Sequence, residues 1–353
     1  MRLHIQSGRG RSELKLISYL GLVAGLVLFG VLLFWQGIGA VFHLLIESGW
    51  PLLLLPLVWF PNLFPETEAW RLVFPGGHKP AFKSAFVAIW MGRAVNVLLP
   101  VATIGGEVVK ARLMTLWGSR GTDASASVLV DKTVQVLAVA AWALIGIGIL
   151  AYLAIDNNLV RYALLGLCLL MIGVTGFLLA QRAGMFGMLS ALGAKLIPHD
   201  SWEGIAANAR EVDRLVVGIY RERIRLLQAV LLKTLGLVLQ TTEVWLACHL
   251  LGAPISLLEA MMLKSLTATL ADIAFVVPNA YGIQEGSYMM VGALLGLGPD
   301  LSLAVSLAVR IREVIIDLPG LLAWQFIESH NLIRSRAEKQ RTEDYSAEIP
   351  EGD

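Results

Sequence analysis

Two glutamates each follow a proline by seven residues in otherwise apolar surroundings. They are Glu107, in "PVATIGGE" from Pro100, and Glu285, in "PNAYGIQE" from Pro278. A proline removes a backbone donor and breaks a helix, and Gly282 and Gly286 permit the chain to turn. Further ionisable groups lie in the same apolar runs. Arg93 and Asn96 share a helical face with Pro100; Glu107 shares one with Lys110, with Arg112 nearby; Asp131 and Lys132 open the next run. In the second half Arg310, Glu313 and Asp317 fall at i, i+3 and i+7 on one face, while Arg312 points elsewhere. Glu68, Glu243, Lys264 and Asp272 complete the set.

An ionisable group at the centre of an apolar span costs about 2.5–3.5 kcal/mol on insertion scales. Arg310, Arg312, Glu313 and Asp317 together oppose insertion of one run by on the order of 10–14 kcal/mol before pairing. Such a helix must turn its charges toward protein or a water-filled cavity. Two roles are open. As ion pairs, the charges would fix broken hairpins against neighbouring spans. As a polar cavity, they would accept a charged or zwitterionic headgroup: Arg93, Lys110, Arg112 or Arg310 would hold a phosphate, and Glu107 and Glu285 would hold an amine or carry protons. Non-helical backbone at membrane depth is tolerated only where protein or a cavity satisfies it. Pro100 to Glu107 and Pro278 to Gly286, Tyr281 included, are therefore expected to line a pocket near the midplane. The candidate translocation pathway comprises Arg93, Asn96, Pro100, Glu107, Lys110, Arg112, Asp131, Lys132, Pro278, Tyr281, Glu285, Arg310, Arg312 and Glu313.

Other chemistries find less support. There is no GxxxxGK[ST] segment for a nucleotide and no DDxxD, HExxH or GxSxG motif for catalysis. An enzyme acting on an isoprenoid or lipid, and a small-solute secondary transporter, remain the alternatives. The six histidines show no HxxxH spacing, so neither metal nor cofactor is expected. Cys168 and Cys248 sit in apolar runs and read as buried thiols.

The elements that must position these groups are helices in a membrane. The chain of 353 residues is 56% hydrophobic and 16% charged, with a mean hydropathy of +0.69; a soluble protein carries about 25% charged residues. Full spans are expected near 14–36, 50–74, 124–154, 160–181, 229–251 and 301–327. The stretches 84–118 and 257–297 are apolar but interrupted, and read as re-entrant hairpins or, with the termini unmoved, as two full crossings each. The first run is too long for a cleavable signal and stays as a span. Lys and Arg concentrate before residue 16, at 75–83, at 182–228 and after 331. That asymmetry places both termini in the cytoplasm of an inner, or plasma, membrane. Segment 182–228 contains Val212, Leu215, Val216 and Ile219 at helical spacing among arginines, and reads as an amphipathic helix at the lipid surface. The expected architecture is an all-α polytopic protein: one membrane domain over 1–330 and a disordered tail over 331–353. Membrane lipids and lipid-biosynthetic proteins are the expected partners, and nucleic acid is not.

The two halves, about 14–154 and 160–327, match in order. "TEAW" (Thr67–Trp70) pairs with "TEVW" (Thr242–Trp245), and "SVLVDKTV" (Ser127–Val134) with "SLAVRIRE" (Ser306–Glu313). Glu68 to Pro100 is 32 residues and Glu243 to Pro278 is 35; Pro100 to Ser127 is 27 and Pro278 to Ser306 is 28. An odd number of crossings per half would make this an inverted repeat, as in many transporters.

"NVLLPVATIGGEVVKARLM" (Asn96–Met114) resembles the N-x(3)-P…GG-[ED]…R segment of the lysylphosphatidylglycerol synthase transmembrane, or flippase-like, family. "VPNAYGIQEG" resembles that family's second signature, P-G-G-x-G-x-x-E, and "VDKTVQVL" its acidic–basic pair. The resemblance covers about 14–330 and is most similar to the subgroup associated with hopanoid biosynthesis. It implies translocation of a lipid. The family's soluble synthase domain is not seen after the last span, so aminoacyl transfer is not expected. Asn279 and Ala280 stand where the family's glycine pair would be.

Overall fold

Pro51, Pro56, Pro61 and Pro65 keep residues 50–72 from forming one regular helix, because each lacks an N–H and crowds the carbonyl four residues back. In the computed structural model this segment is a 3-10 turn Trp50–Leu54, α1 Leu55–Trp59, a 3-10 turn Phe60–Asn62 and α2 Leu63–Leu72. Two helices follow as a hairpin, α3 Phe82–Leu98 and α4 Gly105–Leu116, then the long α5 Gly121–Tyr152. After α6 His199–Arg221 come α7 Arg223–Leu239 and α8 Thr241–Leu250. A second hairpin, α9 Leu257–Ile273 and α10 Ile283–Leu294, precedes α11 Pro299–Ala347.

The structure describes residues 46–99 except 78, 105–153, 199–273, 277 and 280–347, with scattered residues between 161 and 183. The expected span at 14–36, most of that at 160–181, and Pro100, Pro278 and Asn279 lie outside the described residues. Among the described residues all regular structure is helical. Among the described residues two stretches are long and apolar enough to cross a membrane, Gly121–Tyr152 and Arg223–Leu250.

The packing is reciprocal. In each hairpin the first arm packs on the second, α3 on α4 and α9 on α10, and the second arm packs on the helix that follows it, α5 or α11. Each first arm also crosses to the opposite half: α3 lies against α11, and α9 against α5. Both crossings use the same device. Trp90 Nε1 of α3 donates to the Ile316 carbonyl at 2.8 Å, and Gly320, four residues on, gives it room. Ser265 Oγ of α9 donates to the Trp142 carbonyl at 2.7 Å, and Gly146, four residues on, does the same. Among the described residues two large apolar clusters form, one around α2–α4 and the other around α8–α10, with a small third at Ala140, Ala143 and Ile147 of α5.

Three expectations change. The apolar face of α6 does not lie on lipid: Val212, Val216 and Ile219 are buried with the α2–α4 cluster, and α6 packs along α5. α11 remains helical to Ala347, where disorder was expected beyond 331. Cys248 is buried as expected, but Cys168 is exposed.

Candidate functional site

The arms of the first hairpin meet at glycine. A Cβ on Gly106 would lie 2.0 Å from the Gly92 carbonyl oxygen, so the two backbones touch. This contact brings Asn96 over the start of α4, where its Oδ1 accepts the Gly106 N–H at 2.7 Å. One orphan donor of the helix terminus is thereby satisfied from across the hairpin. The second hairpin caps itself. Gly282 turns at φ 76°, and its N–H donates to Glu285 Oε2 at 2.7 Å. Just before it, Ala280 holds φ 47°, a left-handed conformation that favours glycine.

Glu107 and Glu285 are each the third residue of their helix. Because Asn96 caps α4, both oxygens of Glu107 reach cations: Lys110 at 2.9 Å and Lys132 of α5 at 2.8 Å. Lys110 also meets Asp131 at 2.8 Å and lies 4.8 Å from the Trp70 ring centre. The other oxygen of Asp131 meets Lys233 of α7 at 2.8 Å, and Glu66 of α2 stands 4.0 Å from Lys233. Three carboxylates and three ammonium groups make this network neutral.

A second network surrounds Glu285. Arg310 of α11 donates to Glu285 at 2.9 Å and to Glu313 at 3.1 Å, with its guanidinium 4.6 Å from the Tyr281 ring centre. Arg93 crosses from α3 to meet Asp317 at 3.2 Å and Glu313 at 4.0 Å. Arg312 holds Glu243 of α8 through Nε at 2.5 Å and Nη2 at 3.2 Å, and Lys264 of α9 stands 3.6 Å from the same carboxylate. The Arg93 and Arg312 guanidiniums lie 4.2 and 4.5 Å from the Trp59 ring centre. Four cations again match four carboxylates. Neutrality has a physical reason. Each buried ion loses several kcal/mol of hydration, roughly, and only close partners offset that.

The networks differ in access. Glu243, Glu285 and Asp317 are fully buried, whereas the Lys132 side chain is 42% exposed. Asp272, on the last turn of α9, is exposed and within electrostatic reach of Lys132 and Lys264. Two exposed groups of opposite sign therefore lie near the hairpin ends.

The structure gathers Glu107, Lys110, Asp131 and Lys132 into one network, and Arg93, Tyr281, Glu285, Arg310, Arg312 and Glu313 into the other. Arg93 joins the second network because α3 crosses between halves. Asn96 is a cap, and Arg112 stands apart, pairing with Glu328 at 2.7 Å on the surface. Pro100 and Pro278 lie outside the described residues. Lys233, Glu66 and Trp59 were missed. Lys233 carried a readable signal, as the single cation in the apolar run 226–239. Trp59 carried none, since an aromatic in an apolar run has the composition of ordinary core. The TExW glutamates do not match in role: Glu243 is inside the second network, whereas Glu68 pairs at the surface with Arg71 and with Lys79.

Paired charges enclosed by apolar helices are what a membrane-embedded protein requires. The family model of the lysylphosphatidylglycerol synthase TM region matches residues 22–319, and the chain belongs to this family. No curated protein and no solved structure matches it significantly.

Proposed function

We propose that this protein moves a lipid headgroup across the inner membrane, with the two hairpins as re-entrant elements of an inverted repeat and both termini cytoplasmic. The observation that carries the reading is the reciprocal crossing: each hairpin packs on the long helix of the opposite half and ends at a neutral charge network. Rocking one half on the other would shift both hairpins together, which is how inverted-repeat transporters alternate access. At each crossing a glycine, Gly146 or Gly320, gives one side chain of the opposite helix room to reach a backbone carbonyl, which supports a close seam between the halves. Lys132 and Asp272 would receive the headgroup's charges, and Glu107 would release Lys132 as a phosphate arrives. In this reading the chain transports a lipid, a phospholipid or hopanoid, and transforms none.

The test is headgroup-labelled phospholipid in proteoliposomes with a quencher added outside, comparing wild type with Glu107→Gln, Lys132→Gln and Asp272→Asn. Loss of movement in variants that retain their melting behaviour supports the pathway. Movement undiminished in all three would remove these residues from it.

A further inference from the structure

A different feature lies at the junction of α6 and α7, away from both networks. The helix breaks at Glu222, which has φ −84° and ψ 62°, so the two helices diverge. A recess of about 330 Å³ opens there, lined among the described residues by Val217, Tyr220, Arg221 and Arg223. Its apolar side is held in place, because Tyr220 is buried and its hydroxyl donates to Thr133 Oγ1 of α5 at 2.9 Å. Its rim is cationic. Glu222, between the two arginines, is already engaged by Arg225, whose guanidinium packs against the Gly77 turn. Arg221 and Arg223 are exposed and have no ion pair among the described residues. Two guanidiniums over an apolar wall suit a phosphate, which they can grip through paired N–H bonds.

The surroundings say which phosphate. Arg223 begins the apolar stretch Arg223–Leu250, so the recess sits where that stretch would meet the aqueous phase. Directly below it Ile224, Leu227 and Leu231 form one exposed helical face, at 69%, 56% and 60% exposure. An acyl chain attached to the bound phosphate would run down this stripe. Basic pockets between helices at a membrane's positive side are suited to anionic headgroups. We infer that the α6–α7 junction is a binding site for an anionic phospholipid of the Lys- and Arg-rich side of the membrane. It is separate from the translocation pathway and does not depend on the function proposed above.

The experiment is native mass spectrometry of the full chain released from nanodiscs of phosphatidic acid and phosphatidylcholine in equal amounts. Wild type should retain phosphatidic acid over phosphatidylcholine by on the order of tenfold, given the attraction of two arginines at the surface. Arg221→Gln with Arg223→Gln should abolish that preference. Lys83→Gln with Arg120→Gln removes two exposed cations elsewhere on the same side and should leave it intact. No preference in wild type, or equal loss in both double variants, would overturn the site. Displacement of the lipid by millimolar inorganic phosphate would instead identify a free-anion site and overturn the lipid assignment.

Discussion

Replacing Arg312 by methionine should destabilise the protein severely, and the structure sets the scale. Arg312 is 2% exposed, grips both oxygens of the fully buried Glu243, and stacks on Trp59. Its loss would leave Glu243 with Lys264 alone, at 3.6 Å and without a hydrogen bond. Removing one partner of a buried pair costs about 3–5 kcal/mol, or about 10²- to several 10³-fold in the folded population. Glu243→Leu alone should cost a similar amount, because it strands Arg312. The double variant Arg312→Met with Glu243→Leu keeps the network neutral, with three cations and three carboxylates. It should recover part of the loss, since apolar side chains of similar volume often replace a buried pair at little cost, while Lys264 loses its carboxylate partner. The assay is the half-life of folded protein at a fixed temperature in nanodiscs, followed by tryptophan fluorescence. Irreversible unfolding makes a rate the proper readout for a membrane protein. Single variants as long-lived as wild type would refute the burial argument. A double variant no better than the singles would refute the pairing. If the double variant folds and still transports, this pair is a structural pin; if it folds and does not, the pair serves the substrate.

Gly106→Ala should weaken the first hairpin, because its Cβ would meet the Gly92 carbonyl at 2.0 Å and the backbones must part; overpacking of this kind costs about 1–3 kcal/mol or more. Faster proteolysis between α3 and α4 would report it, and unchanged proteolysis with an unchanged half-life would sink the contact. Ala280→Gly should act the other way, lengthening the half-life in the same assay, because glycine accepts φ 47° without strain. The expected gain is about 0.5–1 kcal/mol, after the greater freedom of glycine in the unfolded chain is subtracted. A shortened half-life would show that the left-handed turn is not where the strain lies.

Much of this protein was legible in the sequence because a bilayer penalises specific things. Unpaired backbone and unpaired charge are costly there, so Gly282 marked the turn into α10 and the charged residues of 301–327 announced a helix with a buried charged face, although Ile311, Val314, Ile315 and Leu318 leave its other face exposed. The breaks read around Pro100 and Pro278 each lie between two helices, α3 with α4 and α9 with α10, which pack together as pairs. Chain order alone also indicated that Lys110 and Glu107 would meet, being one helical turn apart. Tertiary structure decided the rest. Arg93 finds Asp317, 224 residues away, only because α3 crosses onto α11 at Gly320 and that register sets which turns face each other. Glu107 turns outward while Glu285 turns back on its own helix, because Asn96 reaches across one hairpin to supply its cap. A local sequence determines that a charge must be neutralised. The distance between two packed helices determines by which partner, since an ion pair forms only within a few ångströms and sequence spacing carries no measure of that gap.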